Sequence, residues 1–310
     1  MGLRRSLGKL VERTIRTRLG AIETRIARLE QRPAVGLSAQ AGSFGAAGID
    51  AAVASVVRSN EDVSLHRENL VPSLGQNGPC LEIGAYFRPM VRGRNARYFD
   101  VFTTEELRKR AEVDVDPAVS KHTIPEIHYC DPDGDISVIK ERFREVASSH
   151  CIEHQPDLIA HLEKVHDLLE PGGRYVVYVP DKRYCYDHVQ PLSTVGDVLQ
   201  ASLEKRTRHT LASHVKRAAC THNDALRHWR GDHFDAGYLD VKAKKTDQLI
   251  KMFESASGKY LDCHAWYFTP TSFAEICNTL HRLGKIRMRI TTVGETRMNT
   301  LEFPAIFERD

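Results

Sequence analysis

Apolar positions recur along this chain in two periods, and they divide it into alternating strands and helices. After Asp157, a fitting N-cap, Leu158, Ile159, Leu162, Val165, Leu168 and Leu169 fall at helical spacing. Pro171, Gly172 and Gly173 are expected to stop that helix, and residues 174–179 make a short β-rich run ended by Pro180. With a strand at 143–149 ahead of them, these segments read as a parallel βαβ crossover. Its ligand side lies at the strands' C-terminal ends, near residues 148–154 and 181–184.

The same reading places a first strand at 80–84 (CLEIG), behind the turn Asn77-Gly78-Pro79, and a second at 97–101. A helix at 104–111 follows, with Thr103 or Thr104 as its cap and Glu105 and Glu106 in its first turn, where the macrodipole favours acids. A third strand at 127–130 ends in the acid-rich turn Asp131-Pro132-Asp133-Gly134, and 137–142 is weakly helical. Residues 181–268 are a long polar insertion, rich in His and aromatics, with helices near 194–219 and 243–255. A helix at 271–283 begins at Thr271 paired with Glu275, or at Pro270-Thr271-Ser272. Two closing strands, 286–293 and 301–308, are long enough for an antiparallel hairpin. This alternation predicts an α/β fold, a doubly wound and mostly parallel sheet with a helical cap insertion.

Ahead of that body the pattern changes. Ile15, Leu19, Ile22, Ile26 and Leu29 alternate four and three apart, the seam of a coiled coil, within a helix over residues 3–30. Residues 33–48 are Gly/Ala-rich and uncharged, a flexible linker, so the domains are 1–32, the linker, and 49–310 with its insertion. One or two short helices lead from 49 to 72. Two readings of the first segment stay open: a coiled coil that makes a homo-oligomer, or an interfacial helix drawn to anionic lipid as a peripheral membrane contact. The opening MGLRRS also fits the myristoylation pattern, which is short and meaningless in a bacterial protein.

Charge sharpens this division. The chain is 310 residues long with net charge +3, yet residues 1–32 carry nine Arg/Lys against three Glu, so the body is mildly acidic. That argues against a nucleic-acid partner for the whole protein. The seven cysteines are odd in number, scattered and without a CxxC pair, which fits reduced thiols in a cytosolic protein. No run reaches the length of a membrane span and no signal-peptide core follows Met1, so a cytoplasmic protein is expected, membrane-associated only through residues 1–32.

The candidate chemistry collects at strand ends. Glu82 and Gly84 end the first strand, where a glycine lets backbone approach a ligand. Asp100 lies at the tip of the second, 18 residues past Glu82, where a carboxylate reaches ribose hydroxyls in dinucleotide-type sites. Asp131 and Asp133 follow the third strand, where an adenine would lie. In this order they point to a nucleoside-type ligand. At these residues the chain resembles the class I S-adenosylmethionine (SAM)-dependent methyltransferases. SSHCIEHQPD…LLEPGGRYVVYVPD is similar to that family's strand-four, post-strand-four and strand-five motifs, and LEIG to its first motif. EIG-x-x-x-RP, FD-x-x-TTEELR, PDKRYCYDH and WYFTPTSF resemble bacterial members associated with surface-glycan assembly.

The resemblance implies a seven-stranded sheet in the order 3-2-1-4-5-7-6 with an antiparallel seventh strand. It implies SAM as cofactor, held by Glu82, Gly84, Ala85, Tyr86, Arg88, Asp100, Val101, Cys130, Asp131, Ser149 and His150. One departure stands out: two further glycines normally follow the first, and here Ala85-Tyr86-Phe87-Arg88-Pro89 takes their place. Arg88 either pairs with the cofactor's carboxylate or is simply surface. The implied activity is O-methylation of a sugar or polar metabolite in envelope-glycan synthesis, on a small-molecule or glycan acceptor. A non-catalytic SAM-fold scaffold of a glycan-assembly complex is the alternative.

A hydroxyl acceptor needs a base, and histidine titrates in the right range. His188, His228, His233 and His264 are the candidates, with Asp232 placed to orient an imidazole. Asp181, Lys182, Arg183, Tyr184 and Trp266 are the expected acceptor-binding residues. His150-x-x-Glu153-His154 matches the spacing of a zinc-peptidase class, but the strand end before it and Pro156 after it leave too little helix for such a site. In some O-methyltransferases two carboxylates and a His after strand four hold a divalent ion; here His150 replaces the first carboxylate. No metal is therefore expected, and these three residues should serve packing and hydrogen bonds at the turn.

Overall fold

The computed structural model describes residues 51–114 and 119–310. The expected helix over 1–32 and the linker over 33–48 lie outside the described residues.

Among the described residues eight strands form one sheet: β1 (Val57–Arg58), β2 (Cys80–Ile83), β3 (Ala96–Asp100), β4 (Tyr129–Cys130), β5 (Phe143–Ser149), β6 (Leu169–Pro180), β7 (Arg289–Gly294) and β8 (Glu302–Glu308). Their spatial order is β1-β7-β8-β6-β5-β2-β3-β4. β8 runs antiparallel to both β6 and β7, and every other pairing is parallel. From β4 to β7 this is the seven-strand order that the resemblance implies, with the short β1 added at the edge. The fold is therefore a mostly parallel α/β sheet, with eight strands where seven were expected.

Alternate residues serve opposite faces, as the pleat requires. Tyr175, Val177 and Val179 of β6 join the larger core, together with Leu81, Ile83 and Phe99. Over them pack α1 (Ala51–Val56), α4 (Leu158–Leu168), α5 (Val195–Leu203) and α9 (Pro270–Arg282), through Val53, Leu162, Val198 and Phe273. Val176 and Tyr178 face the other way, onto Leu70, Leu74, Met90 and Val91. Covered on both sides, these strands read as nearly unbroken apolar runs.

Local chemistry sets the element ends. The Asp157 carboxylate accepts from Ala160 N at 3.0 Å and opens α4. Thr103 and Glu106 form a reciprocal capping box on α3 (Thr104–Glu112). Helix α9 starts one residue earlier than expected, because Thr269 caps it with Ser272 and Pro270 takes the first turn.

Three expectations need correction. The Pro-Gly-Gly turn does not stop α4. Leu169 already pairs with Phe143, so the turn lies inside the long β6. There Gly172 and Gly173 exchange backbone hydrogen bonds with Arg309. A Cβ at Gly173 would stand 2.8 Å from Glu170 O, so this close approach requires glycine. Residues 137–142 supply only a 3₁₀ turn at Ile136–Val138. The single helix expected over 194–219 is two, α5 and α6 (Leu211–Arg217), broken where Lys205 adopts φ +50°. They are followed by α7 (Ala225–Trp229) and α8 (Tyr238–Ser255).

The insertion is clipped to the sheet at its neck. Asp181 and Phe268 face each other in an isolated bridge, and Lys182 N donates to Phe268 O at 2.9 Å. Among the described residues no helix is long and apolar enough to cross a membrane. All seven cysteines are free thiols.

Candidate functional site

The order of the sheet reverses between β2 and β5, and the crevice beyond their C-terminal ends is the natural ligand site of such a fold. Gly84 closes β2 with φ +74°, a conformation that disfavours any side chain. A Cβ there would meet Cys151 Sγ at 3.9 Å, so Gly84 and the turn after β5 lie within van der Waals reach of each other. Asp100, 8% exposed, ends the neighbouring β3, and its Oδ1 accepts from Phe102 N at 3.1 Å. Burial raises its pKa against that hydrogen bond.

The loop from Gly84 to Asn95 contains no helix, and Glu82 explains how it holds its shape. The Glu82 side chain, 2% exposed, accepts from Met90 N through one oxygen and from Val91 N through the other, both at 2.9 Å. It braces the loop from beneath and is not presented to a ligand, which corrects its expected role. Tyr86, at φ +37°, donates from its hydroxyl to Asp114 at 3.0 Å. Ala85 is buried and Arg88 is exposed, with its guanidinium over the Phe87 ring, the surface alternative for that residue.

Other expected contacts are spent within the chain. Asp131 accepts from Asp133 N and Asp135 N, so it builds its turn. Val101 packs toward Gly134, and Cys130 is exposed beside Asp131. His150 adopts φ +51° and reaches over the end of β6 to Glu302 on β8, donating through Nε2 at 2.8 Å. Arg67 joins them, donating to Ser149 Oγ and to Glu302, its guanidinium over the Tyr178 ring. Ser149 and His150 therefore engage the β8 side, not the crevice, and Cys151 stands at the crevice instead.

The insertion residues also separate. Asp181 is fully buried, accepting from Arg183 and from Thr296 Oγ1. Trp266 is core, its indole donating to Gln155 O at 2.6 Å. These two are structural, contrary to expectation. Lys182 donates to His188 O, and Tyr184 stacks on Trp229 with centroids 3.7 Å apart. The Asp232 carboxylate is gripped by Arg227 rather than by an imidazole. His188 stacks on His233 at 3.7 Å, with His228 beside them. Burial and its histidine neighbours push the His188 pKa down to about 4.

His264 is brought elsewhere. Ala265 N and Trp266 N both donate to Glu153 O, which pins His264 against the turn after β5. Its Nδ1 donates to Asp187 Oδ2 at 2.5 Å, and the Tyr186 hydroxyl lies 2.5 Å from Nε2. His154 is oriented in the same way, Nδ1 to Asp262 Oδ1 at 2.8 Å. Burial raises the Asp262 pKa, but the bond and charge of His154 outweigh it and hold the group down at about 2. The two rings touch edge to face, and near the Nε2 of each lies Glu153, 0% exposed, neither carboxylate oxygen of which has a hydrogen-bond partner among the described residues. A cavity of about 140 Å³ opens here, lined by His154, Tyr186, Asp187, Asp262 and His264 among others. Asp187, Tyr186 and Asp262 were not expected to take part; the only sequence signal was their place beside candidate histidines in YCYDH and DCH.

No protein-family model matches this chain, and no curated protein does. Solved structures similar to it include the CcbJ methyltransferase from Streptomyces caelestis, at 13% identity and TM-score 0.38, covering 79% of this chain and 94% of that one. Another is an S-adenosylmethionine-dependent methyltransferase from Clostridium acetobutylicum, at 10% identity and TM-score 0.38, covering 75% and 84%. A third is the glycopeptide N-methyltransferase MtfA complexed with sinefungin, at 21% identity and TM-score 0.27, covering 37% of this chain. The chain spans about half the length of MtfA, 49% in that match.

Proposed function

We propose that this chain is a SAM-dependent methyltransferase that O-methylates a sugar or another polar metabolite in envelope-glycan synthesis. The observation that carries the reading is the pairing of Gly84 with Asp100 at the reversal point of the sheet, in the strand order of that fold. Asp100 ends β3 with a carboxylate that can accept from a ribose diol, and the exposed Gly84 at the end of β2 lets the cofactor's amino-acid portion approach the backbone. When bound, SAM supplies a methyl group already activated on a sulfonium. The protein's task is then to orient the acceptor and exclude water. The insertion supports that task, since its neck begins at the end of β6 and its cavity beside His264 and Asp187 presents polar groups to a hydroxyl.

A second reading, a non-catalytic scaffold with the same fold, is favoured by one observation: the braced loop after Gly84 has none of the family's further glycines. Label from methyl-labelled SAM appearing in acceptors of the nucleotide-sugar or glycan class supports the enzyme. SAM binding without turnover on any of them supports the scaffold, and absence of SAM binding at millimolar concentration overturns the enzyme reading.

A further inference from the structure

We propose that Glu153, His154 and His264 form a binding site for a divalent transition-metal cation of the zinc type. Four observations converge. The Glu153 carboxylate is wholly buried and unpartnered among the described residues, a costly arrangement for an ionised group unless a cation neutralises it. Its Oε1 stands 3.7 Å from His154 Nε2 and 3.8 Å from His264 Nε2, too far for hydrogen bonds whichever ring carries a proton. The three ligand atoms all lie within 4.8 Å of one another. Two ligands of a tetrahedral zinc stand about 3.4 Å apart, so closing the trio around an ion takes about 0.3–0.4 Å at the two Glu153 contacts and at most about 1.4 Å between the ring nitrogens.

The fourth observation is the orientation of the rings. Asp262 and Asp187 each take the Nδ1–H of one histidine, which leaves Nε2 of each ring as an acceptor within 4 Å of Glu153 Oε1, that of His264 shared with the Tyr186 hydroxyl. A carboxylate behind each ligating imidazole is the supporting arrangement of protein metal sites. Two imidazoles and one carboxylate suit zinc and its neighbours rather than magnesium or calcium. The cavity lined by Tyr186 and Asp262 offers the remaining coordination positions to water or to an acceptor oxygen, and an ion taken up replaces the Tyr186 hydroxyl as the partner of His264 Nε2. His150 also presents Nδ1 to Glu153 at 3.7 Å, but Glu302 holds its other nitrogen, and it falls outside the trio.

The test is titration of the full chain, stripped with a chelator, with Zn²⁺ and with Co²⁺, reading affinity by calorimetry and ligation by the visible cobalt spectrum. The expected result is a saturable site of one equivalent. Glu153→Gln should weaken it by more than the roughly 10- to 100-fold expected of the supporting changes Asp187→Asn and Asp262→Asn. Should Glu153→Gln fail to fold, the two aspartate variants still decide the matter. The proposal is overturned if no saturable binding is found. It is equally overturned if these variants bind as the parent does while His188→Ala does not, which would put the ion at His188, His228 and His233. Metal uptake is read without cofactor or acceptor, so its failure and a failure of SAM binding are separate results.

Discussion

Two carboxylates, Glu82 on β2 and Glu153 just past β5, are buried a strand apart and live in opposite circumstances. Glu82 has each oxygen filled by a backbone N–H of its own loop, whereas Glu153 has neither oxygen filled and three imidazoles within 4 Å. A satisfied buried acid fixes backbone; an unsatisfied one beside oriented imidazole nitrogens that carry lone pairs marks a place where something else can bind. The difference separates the part of the crevice that is scaffold from the part where we propose that a cation binds.

The largest effect should come from removing the satisfied acid. Glu82→Ala strands two buried N–H groups and opens a cavity, for a loss of about 2–4 kcal/mol in urea denaturation. If the loss is under about 1 kcal/mol, the brace is not one. The same residue gives a pH signature. Burial, against its two hydrogen bonds, pushes the Glu82 carboxyl up to about 7 from the usual 4.5. A raised folded-state pKa means that its contribution is fully present below about 4.5 and lost as pH rises through 7. Denaturation midpoints measured between pH 4.5 and 8 should therefore fall with pH in the parent, and fall less in Glu82→Ala.

Gly84→Ala comes next. The position has space for a Cβ but φ +74°, so backbone strain of about 1–2 kcal/mol is expected with little steric clash. An unchanged thermal midpoint would contradict it. Smallest of all, Glu153→Gln in metal-free protein should cost under about 1 kcal/mol, because no hydrogen bond is lost. A cost equal to that of Glu82→Ala would erase the contrast between the two acids.

Much of the fold was legible in the sequence, because periodicity and caps are local. β5 begins and ends where Phe143 and Ser149 predict, and α4 opens at Asp157. Reading Pro171-Gly172-Gly173 as a stop failed, because the pairing of those glycines with Arg309 depends on distant chain. The site was legible only as a place. Strand-end positions pick out Gly84 and Asp100, but whether an acid such as Glu82 or Asp131 faces a ligand or its own backbone is decided by how the following loop folds. The convergence of His264 on Glu153 was not legible, since it arises from backbone bonds between segments more than a hundred residues apart.

The central claim, that the crevice at Gly84 and Asp100 takes SAM, is tested most directly by calorimetric titration of SAM into the parent chain and into Asp100→Ala. The account predicts saturable binding to the parent and affinity about 10- to 100-fold weaker in the variant, the worth of about 1.5–3 kcal/mol for hydrogen bonds to a charged group. Equal affinity in the two proteins, or none in the parent, would contradict it.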